Sequence, residues 1–444
     1  MSTVSPTIPD MLHRWMPAQR WYPAKGRGVA LNRVGGMRLA DPAGEVGVEV
    51  HLVALDSGDR TDVVQVPLTF RPAPLEGAEH ALVGETEHSE LGRRWVYDAP
   101  HDPVFVEALL RSLVTAPGRR VPDGPLVSRV LSGEQSNTSI VVDPGSASPL
   151  IVKLFRTLHP GANPDVEVLS ALSEAGCRQV PAVVGWLEGS WTPDAGDEVI
   201  GHLAVATEFM AGSQDAWREA VVAVEAGQDF SAQAHGLGEA TAAVHLALAD
   251  AFGTTPVDES RRRALVEGLQ QRVAWARRST DALDRFGPAL TAHADALARL
   301  DDLPPLQRVH GDYHLGQVLH SPDRGWVLLD FEGEPLRPLS ERTLPDLALR
   351  DVAGMLRSFD YAARHVTVGA DDPATERAAD AWAQAARDAF CAGYASSSGH
   401  DPREQGSLLA ALELDKALYE VVYESRNRPA WIDVPLHAVA RIVG

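Results

Sequence analysis

The stretch His310-Gly311-Asp312-Tyr313-His314-Leu315-Gly316-Gln317, with Trp326-Val327-Leu328-Leu329-Asp330-Phe331-Glu332 just downstream, carries more chemistry than any other part of the chain. It sets a carboxylate at Asp312, an amide at Gln317 and a second carboxylate at Asp330. Phosphoryl transfer from a magnesium nucleotide calls for this set. One carboxylate accepts the proton of an attacking hydroxyl, while the amide and the other carboxylate hold the metal that neutralises the phosphates. The apolar segments 306–309 and 318–319 confine Asp312 and Gln317 to a short loop. A turn at Ser321-Pro322-Asp323-Arg324-Gly325 then returns the chain into a strand at 326–329. Such a hairpin collects three oxygen-bearing side chains at one end of a sheet, which suits a hard magnesium ion. His310 and His314 flank Asp312, but no further His or Cys cluster completes a zinc set. An isolated His-Gly-Asp reads as a polar turn; Gln317 and Asp330 in register set that reading aside.

The chain has 444 residues, enough for two or three domains, and its 45% hydrophobic fraction supplies ordinary cores. The net charge of −21 argues against nucleic acid or an anionic membrane as partner. It does not exclude ATP, whose phosphates can be covered by magnesium and a few local cations. Cys177 and Cys391 are far apart and in no metal-ligand spacing, so a reducing, cytoplasmic setting is expected. Residues 1–10 lack a basic segment leading into an apolar run, and no stretch is long enough for a membrane span; neither a signal peptide nor an anchor is expected.

Residues 1–115 read as a β-rich N-terminal module, with alternating strands at 46–53 and 63–68. Its Gln19-Arg20-Trp21-Tyr22 cluster is expected to anchor the module's own core. A Pro/Gly-bearing connection over 116–125 leads into a strand at 126–131 and the loop Gly133-Glu134-Gln135-Ser136-Asn137-Thr138-Ser139. Ser136, Asn137 and Thr138 are small or hydroxyl-bearing, so side chains and backbone N–H groups there can approach phosphate oxygens. Strands at 140–143 and 150–155 follow, with Lys153 in the middle of an apolar run as the natural phosphate-binding lysine. Alone, the loop matches no standard phosphate motif, and Lys153 alone could extend its amine to solvent. Their order ahead of the Asp312 loop makes the functional reading the stronger one.

Asn163-Pro164-Asp165-Val166-Glu167 opens a helix. Glu167, inside that helix, is the expected partner of Lys153, with Asp165 serving as first-turn charge on the dipole. Residues 203–210 read as a buried strand ending at a hinge, where Glu208 and Met210 are expected at the adenine. A nucleotide-binding module therefore spans 116–210. Beyond it, 211–444 is dominated by helical periodicity at 237–249, 348–362, 374–390 and 408–426, with His245 read as a packed helix residue. On the last of these helices Lys416, Tyr419 or Glu420, Tyr423 and Asn427 share one face. Rings that cover C–H surfaces beside amine, phenol and carboxylate groups make a sugar site.

These motifs, with Leu349-Arg350-Asp351-Val352-Ala353-Gly354-Met355-Leu356-Arg357-Ser358-Phe359 and residues 416–431, resemble bacterial maltokinase across nearly the whole chain. The resemblance implies an α+β, bilobal, eukaryotic-kinase-like fold related to aminoglycoside phosphotransferases: an N-terminal β-rich cap, a β-sheet N-lobe and a mostly helical C-lobe. It implies ATP-dependent phosphorylation of maltose at its anomeric hydroxyl, giving maltose 1-phosphate for α-glucan synthesis. By the same resemblance Asp312 is the catalytic base, and Gln317 and Asp330 are the Mg2+ ligands. The sugar site would take His314 beside Asp312, together with Lys416, Tyr419, Glu420, Tyr423 and Glu424. Tyr313 stands where many relatives have leucine, and the phosphate loop keeps no second glycine. Related actinobacterial glucosamine kinases share the catalytic loop and give the nearest alternative substrate; an aminoglycoside kinase is a further one. The non-enzyme alternative is a silent module partnering trehalose synthase.

Overall fold

The computed structural model describes residues 6–41, 43–122, 126–131, 136–145, 147–193, 196–297, 299–300, 303–334, 339–369 and 372–444. The Gly133-Glu134-Gln135 part of the expected phosphate loop lies outside them. The chain divides into two compact units, Met1–Ser170 with Pro181–Ala211 and Ala171–Val180 with Gly212–Gly444. The first is built on a large antiparallel sheet and the second is mostly helical.

In the first unit, a capping box between Thr7 and Asp10 starts the helix Ile8–Trp15, whose Met11 and Leu12 enter the core. The sheet has twelve strands. Its path runs Leu82–His88, Gly92–Asp98, Thr61–Arg71, Gly47–Asp56, Ala30–Leu39, then Val183–Trp191, Val199–Glu208, Leu150–Phe155, Asn137–Asp143 and Val127–Val130. The strands expected for the N-terminal module and for the nucleotide-binding module are thus continuous. They join at one register pair, Gly35 opposite Trp191, beside a bulge between Arg33 and Gly35. Only glycine fits there: a Cβ on Gly35 would lie 2.7 Å from the Ser190 carbonyl, and one on Gly36 2.4 Å from that of Val50. Gln65 stitches the halves further, its backbone N–H donating to the Arg156 carbonyl and its side-chain amide to that of Phe155 at 2.7 Å. Trp21 and Tyr22 are buried in the core of this unit, and the Arg156 guanidinium lies 4.7 Å over the Trp21 ring.

In the second unit the helices Ser231–Phe252 and Pro373–Ser398 cross at backbone contact. A Cβ on Gly238 would sit 2.1 Å from the Phe390 carbonyl and one on Gly393 1.9 Å from that of His235. The helix Leu349–Arg364 is buried along most of its length. Against the helix Ser231–Phe252 lies the hairpin that follows the Asp312 loop, with Trp326 Nε1 donating to the Gln233 carbonyl at 3.0 Å: Val318–Ser321 pairs antiparallel with Gly325–Leu328, as expected, and Gln214–Asp215 adds a third strand. The expected helices extend to Gly406–Asn427 for the last of the four. The helices that were not expected include Glu259–Ser279 and Gly287–Leu297, besides Ala216–Glu225 and Asp433–Val443. The first buries only Leu269, Val273 and Ala276 and carries several arginines, so its apolar stripe is too thin to read by period. Asp258 starts it by accepting from the Arg261 N–H at 2.7 Å. Among the described residues no helix is long and apolar enough to cross a membrane.

Candidate functional site

The Asp312 loop is held by its backbone. Asp351, on the buried helix Leu349–Arg364, accepts from the His310 N–H at 2.7 Å and the Gly311 N–H at 3.0 Å. His245 Nε2 donates to the same carboxylate at 3.1 Å, and His245 Nδ1 faces the Tyr394 hydroxyl at 3.0 Å. These two residues come from the helices that cross at Gly238 and Gly393, so that close crossing positions the loop. Burial pushes the Asp351 carboxyl up, but the hydrogen bond and charge of His245 and the Gly311 N–H outweigh it and hold the group below the usual carboxylate range.

His310 ties this loop to the second carboxylate. Its Nε2 donates to the Leu329 carbonyl at 2.8 Å and its Nδ1 accepts from the Asp312 N–H at 3.4 Å, which requires the hydrogen on Nε2. The Leu329 N–H donates in turn to the Gln317 carbonyl at 2.9 Å. Gln317 Nε2 reaches Asp330 Oδ2 at 3.4 Å, leaving the amide oxygen for another partner. Asp330 adopts φ 62°, the only left-handed non-glycine residue among those described. A strained backbone of this kind persists where the side chain must be aimed. His314 caps the turn Leu315–Gln317, its Nδ1 accepting from the Gly316 N–H at 3.1 Å, and burial lowers its pKa.

The Tyr313 side chain packs into the helical unit. It is buried, with its hydroxyl 2.7 Å from Thr241 Oγ1, and a Cβ on Gly354 would lie 2.5 Å from the Tyr313 carbonyl. The departure from leucine beside Asp312 is therefore a packing feature of the helical unit.

Asp312 lines an open pocket of about 510 Å³ with Lys416, Tyr419, Glu334, Arg272 and Asp415. Lys416 Nζ lies 3.6 Å from Asp312 Oδ1. Burial disfavours the ammonium, but Asp312, Glu420 and Glu334 outweigh that and raise its pKa, so it stays charged. Asp415 joins Arg272 and Arg350, both at 3.1 Å. Tyr419 stacks between Trp275 and Tyr423, ring centroids 6.4 and 6.3 Å away. Of the expected sugar set the pocket thus brings together Asp312, Lys416 and Tyr419. Tyr423 extends the stack outward and is 44% exposed. Glu420 pairs with the buried Arg357 at 2.7 Å, and Glu424 accepts from the Tyr361 hydroxyl at 3.1 Å and pairs with Arg428. Sequence reasoning missed Arg272, Arg350 and Asp415; the position of Asp415 four residues before Tyr419, one turn back on the same helix, was the available signal.

In the first unit, Lys153 projects from a strand flanked on both sides, opposite Ser139 and Val205. Asp165 Oδ2 lies 3.1 Å from its amine. Asp165, expected only as first-turn charge on the helix dipole, is thus an ion-pair partner of Lys153, buried at the start of the helix Pro164–Glu174; the expected partner, Glu167, is half-buried two residues further on. Thr138 is also turned inward, its hydroxyl accepting from Arg156 Nε at 2.8 Å, while Ser136 is exposed and Asn137 half-buried. Arg156 in turn pairs with Asp98 at 3.0 Å. The strand Val199–Glu208 ends just before Ala211, the last residue of the first unit; the Glu208 N–H donates to the Ala182 carbonyl and the Phe209 N–H to that of Pro149, with Met210 buried just beyond.

Residues 15–102 match the maltokinase N-terminal cap domain, and residues 127–400 match the phosphotransferase enzyme family. A glucosamine kinase of Streptacidiphilus jiangxiensis is 29% identical over 437 residues, covering 89% of this chain and 94% of that protein. A solved glucosamine kinase structure superposes with a TM-score of 0.68 at 25% identity, covering 98% of this chain and 99% of the other. A second, in complex with glucosamine, ADP and inorganic phosphate, gives 0.65 at 24% identity, with 99% and 100% covered.

Proposed function

We propose, from the premise that this chain belongs to the phosphotransferase enzyme family and is an ATP-dependent carbohydrate kinase, that its acceptor is a neutral glucose-based sugar, maltose phosphorylated at the anomeric hydroxyl. The observation that carries this reading is the Lys416 ammonium 3.6 Å from Asp312. A cationic acceptor placing its own ammonium within about 5 Å of Lys416 would meet a repulsion of about 3 kcal/mol at an effective dielectric near 20. A neutral sugar accepts hydrogen bonds from the same ammonium, and Tyr419 and Tyr423 offer ring surface to its C–H faces.

The roles follow from the groups present. Asp312 orients the acceptor hydroxyl and takes its proton as the new bond to phosphorus forms. Lys416 keeps the acceptor oxygen beside that carboxylate. The Gln317 side chain lies beside the Asp330 carboxylate through its amide nitrogen, and its amide oxygen with that carboxylate would supply hard oxygen donors suited to Mg2+. When bound, such an ion supplies neutralisation of the nucleotide phosphates. Lys153, its amine fixed by Asp165, is the cation suited to phosphate oxygens in the first unit.

Glucosamine phosphorylation is the second reading, favoured by the relatives above, which are named glucosamine kinases. Within the pocket Asp415 is already shared by two arginines, which weakens it as a seat for a sugar ammonium. Steady-state kinetics with maltose, glucose and glucosamine decide between the two: maltose is expected to give the highest kcat/KM, and a preference for glucosamine would overturn the neutral-acceptor reading. Association with trehalose synthase has no support in the geometry.

A further inference from the structure

The acceptor pocket has a neighbour of different character. An open pocket of about 580 Å³ lies between the helices Glu259–Ser279 and Gly406–Asn427. Leu265 and Leu269 form one side, Leu408, Ala411 and Leu412 the other, and Leu347 a third. The hollow opens to solvent and its walls are mostly hydrocarbon, which is the lining a ligand's apolar group takes.

Its position says which ligand. Arg272, Arg350, Leu412 and Asp415 line both this hollow and the pocket around Asp312, so the two share one wall. That wall is made of ion pairs whose side chains keep 20–28% of their surface exposed, so it is not sealed by packing. Gly268 adds a second sign: a Cβ built on it meets nothing within 4 Å, although it lies mid-helix and lines the hollow. A residue with no side chain keeps that space open at the expense of helix propensity.

We propose that the acceptor site is bipartite, the compartment at Gly268 taking a compact alkyl or aryl substituent carried by the acceptor sugar. The polar half around Asp312, Lys416 and Tyr419 reads the hydroxyls, and the leucine-lined half reads the hydrocarbon. This rests on the sugar-kinase reading for the identity of the polar half.

The test compares maltose, glucose and glucosamine with their phenyl and n-butyl glycosides. Binding is measured calorimetrically on the full-length protein, and turnover of the free sugars by ADP release. A glycoside is expected to bind at least tenfold more tightly than its parent, about 1.4 kcal/mol, and to compete with it. Gly268→Leu, which grows into open space, is expected to abolish that gain while leaving the Kd of the free sugar within about twofold. Equal affinity of glycoside and parent, or a gain that survives in Gly268→Leu, overturns the proposal. A binding gain without turnover of any free sugar supports the hollow and counts against the kinase reading alone.

Discussion

At the residue scale the group that orders the Asp312 loop is Asp351, which holds it through two backbone N–H groups and His245. Asp351→Asn keeps the shape and removes the charge; unfolding in urea at pH 7 is expected to show a loss of about 3 kcal/mol, as when one partner of a buried pair is removed. The sign with pH follows from the depressed folded pKa. The difference between the two proteins is fully present above the unfolded aspartate value near about 3.9. It closes as pH falls through the lower folded value. A difference that grows on acidification would contradict the assignment. Lys416→Met probes the acceptor directly. Losing one charged hydrogen-bond donor is expected to raise KM for maltose about tenfold, and losing the repulsion is expected to lower KM for glucosamine. Unchanged KM for both sugars would remove Lys416 from the acceptor site.

At the scale of elements, the hairpin at 318–328 and the four helices beyond residue 230 were legible because their apolar periods and turn residues agree. The helix Glu259–Ser279 was not, since most of its surface faces water, yet it supplies Arg272 and Trp275 to the site. The role of Asp165 was misread for a related reason: the period says which residues lie on a helix but not which early carboxylate faces the sheet, and Asp165 is buried beside the Lys153 amine. Backbone crossings are invisible to pattern altogether. Gly238 and Gly393 look like weak points of two helices, and only the structure makes them the place where His245 and Tyr394 are brought together. Gly393→Ala puts a methyl 1.9 Å from the His235 carbonyl. Thermal unfolding is expected to show a destabilisation of about 3 kcal/mol, whereas Gly268→Ala, with open space at its Cβ, is expected to leave stability unchanged or raised. Equal effects of the two would contradict the crossing.

At the scale of the molecule, Lys153 with Asp165 lies in the sheet-based unit and Asp312, Gln317 and Asp330 in the helical one. The kinase class was readable in the order and spacing of a few polar residues. The acceptor was not, because Lys416, Glu420, Tyr423 and Glu424 share a sequence pattern while the fold sends Glu420 and Glu424 into ion pairs with Arg357 and Arg428. The net charge of −21 did not reveal the cation beside the catalytic carboxylate either, since a pocket's sign is local. The most direct test is sugar-stimulated ADP release by the wild-type protein and by Asp312→Asn, with nucleotide binding measured alongside. The account predicts strong stimulation by maltose in the wild type and background release in Asp312→Asn with nucleotide affinity intact. Normal turnover by Asp312→Asn, or no stimulation of the wild type by any sugar, would contradict it.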